Sequence, residues 1–259
     1  MSDNQTSPNS RDWLLLIGGS TYKFTLTGFY LVALVTILKN HGYSLNQLSW
    51  IHLIGSIEAA KVLFAALMER RPAGRFGRFR GWLLAATLGL SAVFGLMACT
   101  DITQNFALLL TCCVLLSAMS AVYGCAMLGL SCIVLPHRER GFGGVIQTMA
   151  ARGGKMIGGA LVLWLYQEYG QTAAAGFMLA FSLLMLLQLL CYREPESPTA
   201  QGGLTALAAR LVSFWRRPET GWRWLVLLFA VAAPYAFAAA TFVPKLGDLG
   251  FTPKQTGGI

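Results

Sequence analysis

Five ionisable side chains interrupt the long apolar runs of this sequence: Lys23, Glu58, Lys61, Arg152 and Lys155. The chemistry they offer is electrostatic. One carboxylate against four cations leaves a surplus of three positive charges in segments that exclude water if they cross a bilayer. A charge at the centre of a span costs about 2.5–3.5 kcal/mol on insertion scales, so such residues face a polar interior. Glu58 and Lys61 stand i to i+3 and can pair with each other as a purely structural device. Arg152 and Lys155 share a run that holds no acid, a pattern that suits contact with an anionic solute or with its path. Gln147 lies on the same run. At 1.5 Å rise per residue, Lys23 lies about 15 Å from the start of its helix, and Arg152 and Lys155 about 14 and 18 Å from the start of theirs. Glu58 and Lys61 lie about 16 and 12 Å from Glu69 by the same measure. All five fall near the midplane, the depth at which transporter solutes bind.

Other chemistries find no such arrangement. Six cysteines (Cys99, Cys112, Cys113, Cys125, Cys132, Cys191) lie in or at the ends of apolar runs, without a CxxC or a Cys/His spacing for metal. They read as small packing residues. His41, His52 and His137 are scattered, and there is no Ser/His/Asp set and no paired acids. No enzyme, metal or cofactor is expected. The net charge of +9 is not spread along a basic face, so nucleic acid is not expected as a partner. Seven spans also permit a seven-helix receptor or a retinal protein. Lys245 would then be the Schiff-base lysine, but it stands at the outer end of span seven, and span three offers no carboxylate.

These charges must be positioned by membrane helices. The chain has 259 residues, 55% hydrophobic and 12% charged, against the roughly 25% charged of an ordinary soluble domain. A span takes about 20 apolar residues. The runs at 13–38, 48–68, 82–99, 105–134, 143–166, 172–192 and 224–244 qualify, with a polar linker at 193–222. QEYGQ is the turn between spans five and six, and FTPKQTGGI reads as the start of another helix. The polar first ten residues lack the charged region of a signal peptide, so span one is expected to be retained. With the N-terminus in the cytoplasm, inside segments hold Arg11, then Arg70, Arg71, Arg75, Arg78 and Arg80, then Arg138 and Arg140, then Arg193, Arg210, Arg216, Arg217 and Arg223. Outside segments hold only Lys39, Lys245 and Lys254, so 13 basic residues against 3 set this orientation. Spans three and six carry no charge and read as lipid-facing. Gly154 and Gly158 form a GxxxG, which lets helices approach closely.

The stretch Lys61 to Trp82 carries a resemblance. Lys61, Phe64, Ala66, Glu69, Arg70, Gly77, Arg78, Arg80 and Trp82 resemble the helix two to helix three loop of major facilitator superfamily transporters. The pattern is most similar to the group of muropeptide permeases, acetyl-coenzyme A transporters and siderophore-uptake permeases. Glu139-Arg140-Gly141, Gln147, Arg152-Gly153 and Gly158-Gly159 resemble that group's pattern at the entry to helix five. The resemblance implies an all-α membrane protein: a six-helix bundle at 1–192, a cytoplasmic linker at 193–222 and the start of a second bundle at 223–259. It implies alternating access around a central cavity in a bacterial inner membrane. Lys23, Glu58, Lys61, Gln147, Arg152 and Lys155 are the expected solute-binding residues. Glu69, Arg70, Gly77, Arg78 and Arg80 are the expected cytoplasmic gate. The acids that the group often carries in helix four are replaced here by Ala121 and Cys125, which leaves Glu58 as the expected proton carrier. An anionic solute is expected, a siderophore or its iron complex first and a muropeptide second. A complete member has about twelve helices, so a truncated gene or a partial record is expected.

Overall fold

The computed structural model describes residues 8–43, 77–100, 106–136, 139–195 and 221–231, with single positions at 54, 57, 61, 64, 65, 68, 209, 212, 213, 233 and 234. Glu58, Glu69 and Arg70 lie outside the described residues, as do most of the expected linker and of span seven. Among the described residues the elements are all helical.

Helix α1 (Ser10–Gly28) starts at a capping box. The Asn9 side chain accepts from Ser10 N at 2.8 Å, and Asn9 N donates to Asp12 Oδ2 at 2.8 Å, which satisfies donors that a helix start leaves unpaired. One π turn (Phe29–Ala33) carries the helix on into α2 (Leu34–Asn40), and Gly42, at φ 84°, ends it. Three longer helices follow: α3 (Arg80–Cys99), α4 (Phe106–Val134) and α5 (Arg140–Met156). A second π turn (Ile157–Leu161) leads into α6 (Val162–Cys191). Gly170, at φ 82° and ψ −175°, breaks α6 inside the QEYGQ stretch.

Four stretches among the described residues are long and apolar enough to cross a membrane: Ser10–Lys39, Arg80–Cys99, Phe106–Val134 and Gly141–Cys191. In the most apolar 18-residue window of the first of these, 67% of the residues are buried, against 44% in that of the second, so α1 is the more enclosed by its unit. Helix α3 buries Leu83, Ala86, Leu90, Phe94 and Met97, a three-to-four spacing that makes one apolar face. Its Leu88 and Leu96 point outward, as do Leu183, Leu184, Leu187 and Leu190 of α6. Exposed leucines in such numbers are what a lipid solvent accepts.

Helix α1 packs on α5 through glycine. A Cβ on Gly28 would stand 2.9 Å from Lys155 Cα, and one on Gly154 would stand 2.7 Å from the Thr21 carbonyl oxygen. A Cβ on Gly158 would run into the Thr25 carbonyl. Bare backbone thus lies on bare backbone, the close approach that small residues permit. The described residues fall into two compact units, 1–200 and 201–259. In the second, residues 221–231 form a short apolar helix whose side chains are exposed except at Gly221.

Candidate functional site: a cationic cavity

A cavity of about 410 Å³ lies among α1, α4, α5 and the described positions of the second apolar run. That volume is in the range of small-molecule sites. From α1 come Ser20, Lys23, Phe24 and Thr27, a spacing that puts them on one helix face. From α4 come Gly124, Cys125, Met127 and Leu128, and from α5 come Gln147 and Lys155. Lys61 and Ala65 complete the lining. Among the described lining residues there is no carboxylate.

Lys23 is 6% exposed, so its charge is withdrawn from solvent and must be met inside the protein. Its Nζ donates to Thr27 Oγ1 at 3.2 Å and to Ser120 Oγ at 3.3 Å, and stands 5.9 Å from the centre of the Phe24 ring. The second run is tied to α4 at two heights. Ser117 Oγ donates to the Ile54 carbonyl at 2.9 Å, and Cys125 Sγ to the Lys61 carbonyl at 3.6 Å. Lys155 is exposed and faces the cavity. Beside it lies the Gly28 contact, so the α1–α5 glycine packing brings this lysine near Lys23.

Of the expected solute-binding set, the structure brings Lys23, Lys61, Gln147 and Lys155 together. Arg152 is exposed and does not line the cavity. The reason is helical geometry: at about 100° per residue, Lys155 projects about 80° round the helix from Gln147, and Arg152 about 140°. The sequence reading missed Ser20, Thr27 and Gly124. Ser20 and Thr27 stand at i−3 and i+4 from Lys23, and that spacing was the available signal. Gly124 carries no local signal.

A second polar cluster sits at the arginine-bearing end of α3 and α6. Gly77 has φ 82°, and a Cβ on it would collide with the Glu194 carboxylate. Glu194 accepts from Phe79 N at 3.0 Å and from Arg80 N at 2.8 Å, so a negative charge caps the start of α3. Arg80 returns the favour: its Nε donates to the Leu189 carbonyl at 2.9 Å and its Nη2 to the Leu190 carbonyl at 2.9 Å. These are carbonyls of the last turn of α6, which lack helical partners. Tyr192 donates to Asp12 Oδ1 at 2.9 Å and so ties the same end to α1. Burial, then the bond to Asp12, pushes the Tyr192 phenol well above its ordinary pKa, so it stays a donor. At the other end of the pair, Gln171 Nε2 donates to the carbonyls of Met97 at 3.0 Å and Thr100 at 2.8 Å. Arg78 is buried, with its guanidinium 5.5 Å from the centre of the Phe79 ring. Gly77 and Arg80, expected in a gate, are thus engaged with the α6 end. Glu194, Gln171 and Tyr192 were not anticipated.

The family model described as Major Facilitator Superfamily matches residues 15–259. Over 256 residues the chain is 28% identical to a protein named anhydromuropeptide permease from Escherichia coli strain K12, covering 96% of this chain and 51% of the permease. The protein of that name from Escherichia coli O157:H7 matches to the same extent. The chain spans about half the length of the curated relatives it matches.

Proposed function

We propose a function from the premise that this chain belongs to the Major Facilitator Superfamily, whose model matches residues 15–259. It is a multi-pass membrane protein of a transporter family and not an enzyme. Membership sets aside the receptor and retinal readings. Our reading is that the chain takes part in moving an anionic solute across a bacterial inner membrane by alternating access, with its N-terminus in the cytoplasm. The observation that carries it is the cavity lined by Lys23, Lys61 and Lys155 with no described acid.

Charge alone fits a siderophore and a muropeptide equally. The name of the relatives favours an anhydromuropeptide, and we adopt it as the solute. Its peptide carboxylates are the groups the lysines would hold. In this reading Glu58 carries the coupling proton. Glu69, Arg70 and Arg78 contribute to a cytoplasmic gate, beside the Gly77–Arg80–Glu194 contacts.

Binding to the purified chain in lipid nanodiscs tests the reading by calorimetric titration. An anhydromuropeptide with free carboxylates should bind at least about tenfold more tightly than its amidated form, and more weakly at high salt. Equal binding of the two forms, or tighter binding of a ferric siderophore, overturns it.

A further inference from the structure

We infer, resting on the cavity as the solute site proposed above, that its wall holds one further binding group. This is the Tyr123 hydroxyl, which donates to an amide oxygen of the solute once the Met127 side chain swings aside.

Tyr123 stands on α4 and is fully buried. Its hydroxyl has no hydrogen-bond partner among the described residues. Its neighbour Tyr22 differs, because that hydroxyl bonds to Ser182 Oγ on α6. A buried hydroxyl without a partner lowers stability, and a phenylalanine would fill the same space without that loss. The fold described here therefore draws nothing from the Tyr123 oxygen. The ring that carries it is nonetheless held fast. Tyr22 meets that ring edge-on at 5.3 Å between centres, and Phe181 meets Tyr22 in the same way at 5.3 Å. A donor fixed in place before its acceptor arrives loses little freedom on bonding.

Met127 lines the cavity from α4, one helical turn beyond Tyr123 and on the same face. Ser20 lines it from α1, and Gly19 is the residue before. A Cβ on Gly19 would stand 2.8 Å from both Cε and Sδ of Met127 and 3.0 Å from the Tyr123 hydroxyl oxygen. Thioether and hydroxyl are thus neighbours beside bare α1 backbone, and the thioether belongs to the cavity wall. Methionine is unbranched and turns about its side-chain bonds freely, so its end can leave without parting two helices. Its departure opens the hydroxyl to the cavity. The surroundings select the acceptor. A carboxylate loses far more than an amide on entering a wall of rings, thioether and glycine backbone. An amide oxygen needs only such a donor, and a muropeptide carries amides along its peptide.

Calorimetric titration of an anhydromuropeptide into the full chain in nanodiscs tests this. Tyr123→Phe should weaken binding about threefold to tenfold, the effect of one neutral hydrogen bond, while the unfolding midpoint holds or rises. The factor should be the same for the solute with free carboxylates and for its amidated form, since the hydroxyl meets a neutral group. Met127→Ala should tighten binding about twofold to fivefold, because the swing no longer has to be made. That gain should vanish when Tyr123→Phe is added. Unchanged affinity in Tyr123→Phe, a loss confined to the free-carboxylate solute, or an equal Met127→Ala gain in both backgrounds overturns the inference. So does a midpoint lowered by Tyr123→Phe, because the hydroxyl would then serve the fold. Should Met127→Ala not fold, Tyr123→Phe decides alone by the same criteria. A native chain that binds no anhydromuropeptide sinks the proposed solute and this donor with it. Binding that Tyr123→Phe leaves untouched sinks the donor alone.

Discussion

The cavity and the α3–α6 end use polar groups in opposite ways. At the α3–α6 end, charged and amide side chains are spent on backbone. Glu194 caps the start of α3, Arg80 caps the end of α6, and Gln171 caps the far end of α3, through bonds of 2.8 to 3.0 Å. At the cavity, the bonds described for Lys23 run to two hydroxyls at 3.2 and 3.3 Å, and Lys155 faces open space. One region closes the polar accounts of helix ends and so fixes how two helices stand. The other gathers like charges around a cavity. That difference separates residues that hold the structure from residues we propose to meet the solute, and substitutions can break or sharpen it.

The largest effect should come where the two regions share a scaffold. Gly158→Leu pushes a side chain into the Thr25 carbonyl and parts α1 from α5. We expect a loss of about 3 kcal/mol, read as a lowered unfolding midpoint in detergent, together with loss of the cavity. Glu194→Ala removes a charged acceptor from two N–H donors at the start of α3. It should cost about 1.5–3 kcal/mol by the same measurement, with anion binding retained. Arg80→Ala should fall in the lower part of that range, since of the two carbonyls it leaves, that of exposed Leu190 can turn to water while that of buried Leu189 loses its partner. Tyr192→Phe should be smallest, about 0.5–1.5 kcal/mol for one hydrogen bond to Asp12. Its pH dependence has a fixed sign. The folded-state pKa is raised above the ordinary 10.0, by burial first. The contribution is therefore fully present below pH 10 and is lost as pH rises beyond it. The difference between native and Tyr192→Phe midpoints should stay flat from neutral pH to about 9 and shrink only in stronger alkali.

The sequence made the helical membrane class legible, because runs of about 20 apolar residues have few other uses. It also showed Lys23, Lys61 and Lys155, because a charge in such a run needs a reason, and Gln147 through the resemblance at the entry to helix five. Arg152 belonged to the same pattern yet projects away from the cavity, since depth along a helix says nothing of the angle round it. Glu194 was not legible at all. It stands 114 residues from Arg80, and a cap supplied across that distance leaves no local spacing to read. Gly124 was hidden for a related reason: a missing side chain matters only once its neighbours are known. Gly77 and Arg80 were noticed for the right stretch, but the bonds described for Arg80 go to the adjoining helix end.

The central claim is that the cavity lysines meet the anionic solute while the α3–α6 end holds the fold. The most direct measurement is calorimetric titration of an anhydromuropeptide into the native chain, Lys23→Gln, Lys155→Gln and Glu194→Ala side by side. The account predicts about a tenfold loss of affinity, or about 1.4 kcal/mol, for each lysine variant and no loss for Glu194→Ala. Equal affinity in all four proteins, or a loss confined to Glu194→Ala, would contradict it.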